Sequence, residues 1–251
     1  MAVIGIDLGT TNSLAGVWQD GKVVLIPNAF GEYLTPSVVG IGKNQEVFVG
    51  SVAKEMLATQ PYDTFREFKR NMGTNFLYGN GRKKYRAEEL SAFVLRRLKE
   101  DAEKFLGEEV TEAVISVPAY FDDNKRNATK NAGRLAGLKV ERLINEPSAV
   151  ALKHHTAEKG AESFIVFDFG GGTLDVSLVE AFDNVVEIQA VAGDNYLGGK
   201  DFNEIIAQDF YEQNQISEAY LTKNEQENVL KEAEAVKKEL TDKNEAERQV
   251  Y

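Results

Sequence analysis

The sequence contains no cysteine, which excludes disulfides, thiolate metal sites and cysteine nucleophiles and fits a reducing compartment. Its only histidines, His154 and His155, are adjacent, so a histidine metal site or a Ser/His/Asp triad has little material to draw on. Positive charge is scarce as well. Lys and Arg number 29 against 40 Asp and Glu, and the net charge of -11 repels a phosphodiester backbone, so nucleic acid is not an expected partner. No apolar run reaches the ~18 residues of a membrane span, and the start, Met1 to Ile6, lacks the basic, apolar, small-residue order of a signal peptide. A soluble cytoplasmic protein without a membrane partner is the expectation, with chemistry left to carboxylates, Lys, Thr and backbone amides.

What is present is 251 residues, enough for one large domain or two modest ones. Ala2 to Asp7 has strand character, Gly9-Thr10-Thr11 interrupts it, and Ser13 to Trp18 resumes it up to a hairpin signal at Asp20-Gly21 and a third strand, Lys22 to Ile26. From Ser51 the texture is helical. Leu90, Phe93, Val94, Leu98, Ala102 and Phe105 share one face of a helix over Ala87 to Leu106, which Gly107 stops. Strand Ala113 to Val117 ends at Pro118, Asp122 or Asp123 caps a helix running to Gly137, strand Lys139 to Ile144 follows, and Pro147 suits the first turn of a helix carrying Ala149 to His155. The polar stretch Thr156 to Glu162 reads as a domain boundary, dividing 1–156 from 157–251. Beyond it, strands Phe164 to Asp168 and Leu174 to Glu180 flank a triple glycine. Asp201 caps a helix with Phe202, Ile205, Ile206 and Phe210 on one side, a charged helix fills Asn224 to Leu240, and Gln249-Val250-Tyr251 begin a strand.

The most informative feature is a duplication. Ile4-Gly5-Ile6-Asp7-Leu8-Gly9-Thr10-Thr11 superimposes on Ile165-Val166-Phe167-Asp168-Phe169-Gly170-Gly171-Gly172, an offset of 161 residues, and each copy reads strand, Asp, glycine-rich turn, strand. So long a period points to two similar lobes that each present one turn to a shared cleft. Glycine permits close backbone approach and lets several N–H groups face one concavity, a site for phosphate oxygens. Neither turn carries Gly-x-x-x-x-Gly-Lys-Ser/Thr and both lead into a strand, so neither the P-loop nor the dinucleotide fingerprint applies. Asp7 and Asp168 end their strands where a hydrated Mg²⁺ bridging phosphates needs hard oxygen partners. The plain alternative is an Asp bonded to its own turn; the paired copies favour the phosphate reading.

Four strings, Ile4-Gly5-Ile6-Asp7-Leu8-Gly9-Thr10-Thr11-Asn12-Ser13, Val117-Pro118-Ala119-Tyr120-Phe121, Ile144-Asn145-Glu146-Pro147 and Asp168-Phe169-Gly170-Gly171-Gly172-Thr173-Leu174-Asp175, together resemble the heat-shock protein 70 (DnaK-type) chaperones. Gly193-Asp194 and Leu197-Gly198-Gly199-Lys200-Asp201-Phe202 extend the resemblance along the chain, and Leu25-Ile26-Pro27-Asn28 with Phe30 to Ser37 looks most like the HscC branch.

The resemblance implies an α/β, actin-like (ribonuclease H-like) two-lobe ATPase with ATP in the cleft, whose hydrolysis to ADP gates a peptide-binding domain. It further implies unfolded polypeptide clients, a J-domain co-chaperone and a nucleotide exchange factor as partners. Gly9, Thr10, Thr11 and Asn12, with Gly170, Gly171 and Gly172, would cradle the phosphates, and Asp7 and Asp168 would organise Mg²⁺ through water. Asp175 and Thr173 would serve K⁺ and the γ-phosphate. Lys69 would stand near the attacking water and Glu146 would orient or deprotonate it. Taken alone, Lys69 reads as a surface Lys, and Glu146 before Pro147 as an acid serving a helix N-terminus. Pro118 and Arg126 would couple nucleotide state to the interdomain linker, or are simply a strand-ending Pro and a solvated Arg. Glu234, Lys237, Lys238 and Thr241 match purine-contacting positions, with Gly198 and Gly199 also on the nucleotide; a solvated helix face accounts for the first four equally well. The resemblance also implies that the second lobe is incomplete, its other purine wall, linker and peptide-binding domain lying beyond this sequence, so that apolar surface should stand uncovered. An actin-like small-molecule kinase and a nucleotide-dependent filament protein share the paired turns and remain alternatives.

Overall fold

The computed structural model describes residues 2–79, 83–154, 160–182, 185–194 and 196–250. Strands β1 (Ala2–Leu8), β2 (Asn12–Gln19), β3 (Lys22–Ile26), β8 (Val110–Val117) and β9 (Lys139–Asn145) form a mixed sheet in the order β3-β2-β1-β8-β9, with the two-residue β4 (Thr35–Pro36) paired to β2. The β2–β3 hairpin turns through Asp20 and Gly21 with φ 51 and 77, the left-handed pair a tight hairpin needs. In β1 the alternation places Ile4, Ile6 and Leu8 in the core, and α2 (Ala87–Leu106) with α3 (Asp123–Leu135) covers that face.

Helix α2 ends at Gly107, φ 70, as its sequence dictates. Its phase differs slightly from expectation: Phe105 is 43% exposed, and Leu106 packs on the core instead. Asp122, rather than Asp123, caps α3 by accepting the N–H of Lys125 at 2.9 Å, and the helix stops at Leu135, short of Gly137. A small sheet of β5 (Val38–Ile41), β6 (Val47–Val49) and β7 (Thr64–Arg66) packs on α1 (Ser51–Thr59). Strands of 3 and 4 residues carry too little alternation to stand out in sequence.

The second sheet is an antiparallel meander of β10 (Glu162–Phe169), β11 (Leu174–Phe182) and β12 (Val185–Asp194). The segment of β12 reads as no element in sequence, and pairing along β11 is what orders it. The boundary expected at Thr156 falls on 155–159, outside the described residues, and its polar stretch ends inside β10. Helix α4 (Glu146–His154) touches both sheets, contacting β8 and β9 on one side and β10, β11 and β12 on the other. Helices α5 (Gly199–Gln213) and α6 (Lys223–Glu239) pack through Ala207, Tyr211, Val229 and Ala233.

Two further expectations are corrected. Asp201 caps α5 from inside rather than as its N-cap residue: Gly198 is the N-cap, and the Asp201 carboxylate at the third helical position reaches back to accept the Gly198 N–H at 2.7 Å. Gln249 and Val250 form no strand, and Tyr251 lies outside the described residues. On β10, Ile165 is 67% and Phe167 65% exposed.

Candidate functional site

The duplication is geometric as well as textual. In the β1–β2 hairpin Asp7 pairs with Leu14 and Leu8 with Ser13; in the β10–β11 hairpin Asp168 pairs with Asp175 and Phe169 with Leu174. Both turns therefore span the same number of residues and leave their aspartates at the same register. The turns meet across the cleft, because a Cβ on Gly171 would fall on Thr11 Oγ1. Only a glycine permits that approach.

Both turns are pinned from behind through their carbonyls. Ser37 Oγ donates to Gly9 O and Ser37 N to Thr11 O, each at 2.8 Å. In the second turn Gly199 N donates to Gly170 O at 3.0 Å, Lys200 N donates to Gly171 O at 2.8 Å, and the Arg70 guanidinium donates to Gly172 O. A trans peptide sets its N–H opposite its C=O. The N–H groups of Thr10, Asn12, Gly171, Gly172 and Thr173 are thus turned to the other side, a ready-made cradle for phosphate oxygens. Gly198 and Gly199 belong to the support: a Cβ on Gly198 would overlap the backbone of Gly171 and Gly172.

Beneath the turns lie the charged groups. Ser116 Oγ, on β8, donates to Asp7 Oδ1 at 2.9 Å, so Asp7 does more than serve its own turn. Lys69 sits in a one-turn 3-10 helix, Phe68–Asn71, and is only 7% exposed, which sets aside the surface-Lys reading. Its Nζ donates to Glu146 Oε1 at 2.9 Å, at the first turn of α4. Burial pushes the Glu146 carboxyl above the usual carboxylate range, only partly offset by Lys69, and the charges of Asp7 and Asp168 add to the rise. Desolvation and then the negative charge of Asp7 raise Asp168. Asp175 is pushed up to about 6 by burial, with Glu146 and Asp168 contributing.

These mutually repelling carboxylates fit a divalent cation, which would relieve their repulsion. Among the described residues no three His, Asp or Glu side chains converge to hold a metal directly. A site of this kind suits Mg²⁺ that keeps its waters and takes oxygen ligands from phosphates.

Two hollows share Thr10, Thr11, Asn12 and Gly171 as lining. One, about 710 Å³, runs past Asp7, Lys69, Glu146 and Asp168. The other, about 140 Å³, reaches Glu234 and Lys237 on α6. Of the four residues expected to contact a purine, only these two line it; Lys238 and Thr241 do not, and Thr241 is exposed in the turn after α6. Lys237 donates to Gly199 O at 2.5 Å. Burial by itself would raise Glu234, but the ammonium groups of Lys238 and Lys54 outweigh it and hold the carboxyl down at about 2.

Ion pairs roof this cleft from α1 and β7 to α5 and α6: Lys54–Glu234 at 2.8 Å, Lys231–Glu55 at 2.6 Å, Arg66–Glu227 at 2.9 Å and, from the 3-10 helix's N-cap, Lys200–Glu67 at 2.9 Å. Sequence reasoning missed Ser37, Ser116, Arg70 and Lys54. Arg70 alone carried a signal, as the neighbour of Lys69; the others become visible only when elements distant in sequence meet. Arg126 is not simply solvated: Nε donates to Phe121 O at 2.9 Å and Nη2 to Asn145 Oδ1 at 2.7 Å, tying the Pro118 loop to the end of β9.

No helix among the described residues is long and apolar enough to cross a membrane. A family model described as Hsp70 protein matches the chain over residues 3–80 and 77–250.

Proposed function

This chain belongs to the Hsp70 family, with the family's actin-like α/β ATPase fold, and we propose that it binds Mg-ATP between its two glycine turns and hydrolyses it to ADP and phosphate. The observation that carries the reading is the buried Lys69–Glu146 pair beneath two turns whose carbonyls at Gly9, Thr11, Gly170, Gly171 and Gly172 are held from behind. The N–H groups of Thr10, Asn12, Gly171, Gly172 and Thr173 take the phosphate oxygens, assisted by the Thr10 and Thr11 hydroxyls. Asp7 and Asp168 hold Mg²⁺ through water, and the bound ion neutralises charge on the phosphates. Thr173 and Asp175 serve the γ-phosphate and K⁺.

In the chemical step the oxygen of a water bonds to the γ-phosphorus while the bond to the β,γ-bridging oxygen breaks. Glu146 accepts the water's proton, a task for which its raised affinity for protons suits it. The Lys69 ammonium stabilises charge developing on the transferring group. The adenosine extends toward α6, against Glu234 and Lys237, with Lys238 and Thr241 at the rim. Residues 1–156 and 157–251 form the two lobes, and the Leu25–Asn28 and Phe30–Ser37 strings support placement in the HscC branch.

Within the whole chaperone, hydrolysis gates polypeptide binding, paced by a J-domain co-chaperone and an exchange factor, with Pro118 and Arg126 relaying nucleotide state. Family membership weighs against a small-molecule kinase or a filament protein.

Calorimetric titration with Mg-ATP and Mg-ADP tests the core of this proposal. Saturable binding in the micromolar range or tighter is expected. A folded chain that shows no heat with either nucleotide overturns it.

A further inference from the structure

Beside Lys69 lies a hollow of about 70 Å³ whose Arg70, Tyr120, Lys125 and Tyr196 take no part in the reaction described above. Three cations line it, Lys69, Arg70 and Lys125, and no carboxylate does. In a protein of net charge -11 that segregation is the exception. Each cation is set on an aromatic face: Lys125 Nζ lies 5.3 Å from the ring centroids of both Tyr120 and Phe121, Lys69 Nζ 5.8 Å from Phe121, and Arg70 Cζ 5.7 Å from Tyr196. Such contacts hold the cations in place without cancelling their charge.

The charges are unequally compensated. Lys69 is paired with Glu146 and Arg70 with Glu67, the latter at 3.4 Å. Lys125 forms no ion pair among the described residues. Arg70 Nε is buried without a hydrogen-bond partner. Burial above all, with the negative charges of Asp175 and Glu146 next, pushes the Tyr120 hydroxyl far above its ordinary range, so it remains an O–H donor at any working pH. The hollow is thus rich in donors and positive charge and poor in acceptors. It is also far below the roughly 300 to 1,000 Å³ of sites that hold nucleotide-sized ligands. Its remaining lining, Thr10 and Thr173, belongs to the two phosphate turns, so the hollow adjoins the cleft directly.

We propose that this hollow is a second anion subsite that holds a small tetrahedral oxyanion, orthophosphate, with Lys125 as its uncommitted cation. That the phosphate is the product of hydrolysis rests on the proposed function; that the hollow binds phosphate does not.

The test is calorimetric titration of the chain with inorganic phosphate, with and without a saturating non-hydrolysable Mg-ATP analogue that fills the γ position. Saturable binding is expected in both conditions, weakened about tenfold by Lys125→Ala and retained by Lys125→Arg, as for the loss of one charge-assisted contact. Sulfate, with the same shape, should compete. Equal phosphate affinity in wild type and a folded Lys125→Ala variant overturns the subsite, as does complete loss of phosphate binding when the analogue is bound. If the chain binds no nucleotide, the proposed function fails and the comparison of free wild type with Lys125→Ala still decides the subsite. Single-turnover hydrolysis followed with a phosphate sensor separates product from bulk phosphate. Free phosphate should lag cleavage in wild type and not in Lys125→Ala, and the absence of a lag in wild type overturns the product role.

Discussion

The Nζ of Lys69 and the Oε1 of Glu146 stand 2.9 Å apart although 77 residues separate them in the chain. Each justifies the other's burial: alone, either charge in this position would be strongly unfavourable, whereas together they present a cation and a proton acceptor to one point beneath the glycine turns.

Lys69→Met should expose that dependence. The variant leaves Glu146 buried without its counter-ion, so stability should fall by about 3 kcal/mol and turnover by on the order of 10²-fold or more, while Mg-ADP affinity changes little. Adding Glu146→Gln should restore much of the stability and none of the turnover. Denaturant melts and single-turnover hydrolysis read the two effects separately, and unchanged turnover in Lys69→Met would remove Lys69 from the mechanism.

Gly171→Ala places a methyl group on Thr11 Oγ1. The turns must then part, so Mg-ADP affinity should fall by about tenfold or more with little change in secondary structure by circular dichroism. Wild-type affinity in this variant would mean that the turns do not share a ligand.

Asp175 binds its proton more tightly in the folded chain, its pKa rising from 3.8 to about 6. The native state therefore holds more protons than the unfolded state between those values, and this contribution to stability is complete at low pH and lost as pH rises through about 6. Asp175→Asn should be more stable than wild type at pH 7.5 by about 1 kcal/mol, a figure reduced because the side chain is half-buried, with no gain near pH 4. Added Mg²⁺ should narrow the difference. Thermal melts across pH check the sign.

Glu234 behaves oppositely, its carboxyl held at about 2 against an ordinary 4.5 by Lys238 and Lys54 despite the opposing effect of burial. Its contribution is present above pH 4.5 and lost as pH falls toward 2. Lys54→Met breaks the 2.8 Å link from α1 to α6. The variant should lose about 1 kcal/mol at neutral pH and low salt, since the pair is partly exposed, and less at 1 M salt. Identical losses at both salt concentrations would show that packing rather than charge joins the two helices.

Much of this protein was legible in its sequence because the information is local. The alternation in β1 and β2, the left-handed turn at Asp20-Gly21, the apolar face of α2 and its stop at Gly107 depend on neighbours within a few residues, and the two Asp-glycine turns announce themselves by repetition. Where a second partner decides, sequence reading fell short. Strand β12 is ordered by pairing with β11, and the short sheet β5-β6-β7 by packing on α1. Asp201 supports the start of α5 from inside the helix because the Gly198 backbone is pressed against Gly171 and Gly172.

The candidate site follows the same division. Residue type, spacing and repetition named Asp7, Asp168 and the glycines, and the resemblance to the heat-shock protein 70 chaperones added Lys69 and Glu146. Only the tertiary structure decided that Ser37, Gly199, Lys200 and Arg70 hold the turn carbonyls from behind, that Lys69 is buried against Glu146, and that Lys125 faces the remaining cations without a carboxylate. Peptide groups and charges brought together by folding acquire orientation and altered proton affinity from neighbours more than a hundred residues away, as Ser116 is from Asp7 and Arg70 from Gly172, and no local pattern encodes those neighbours.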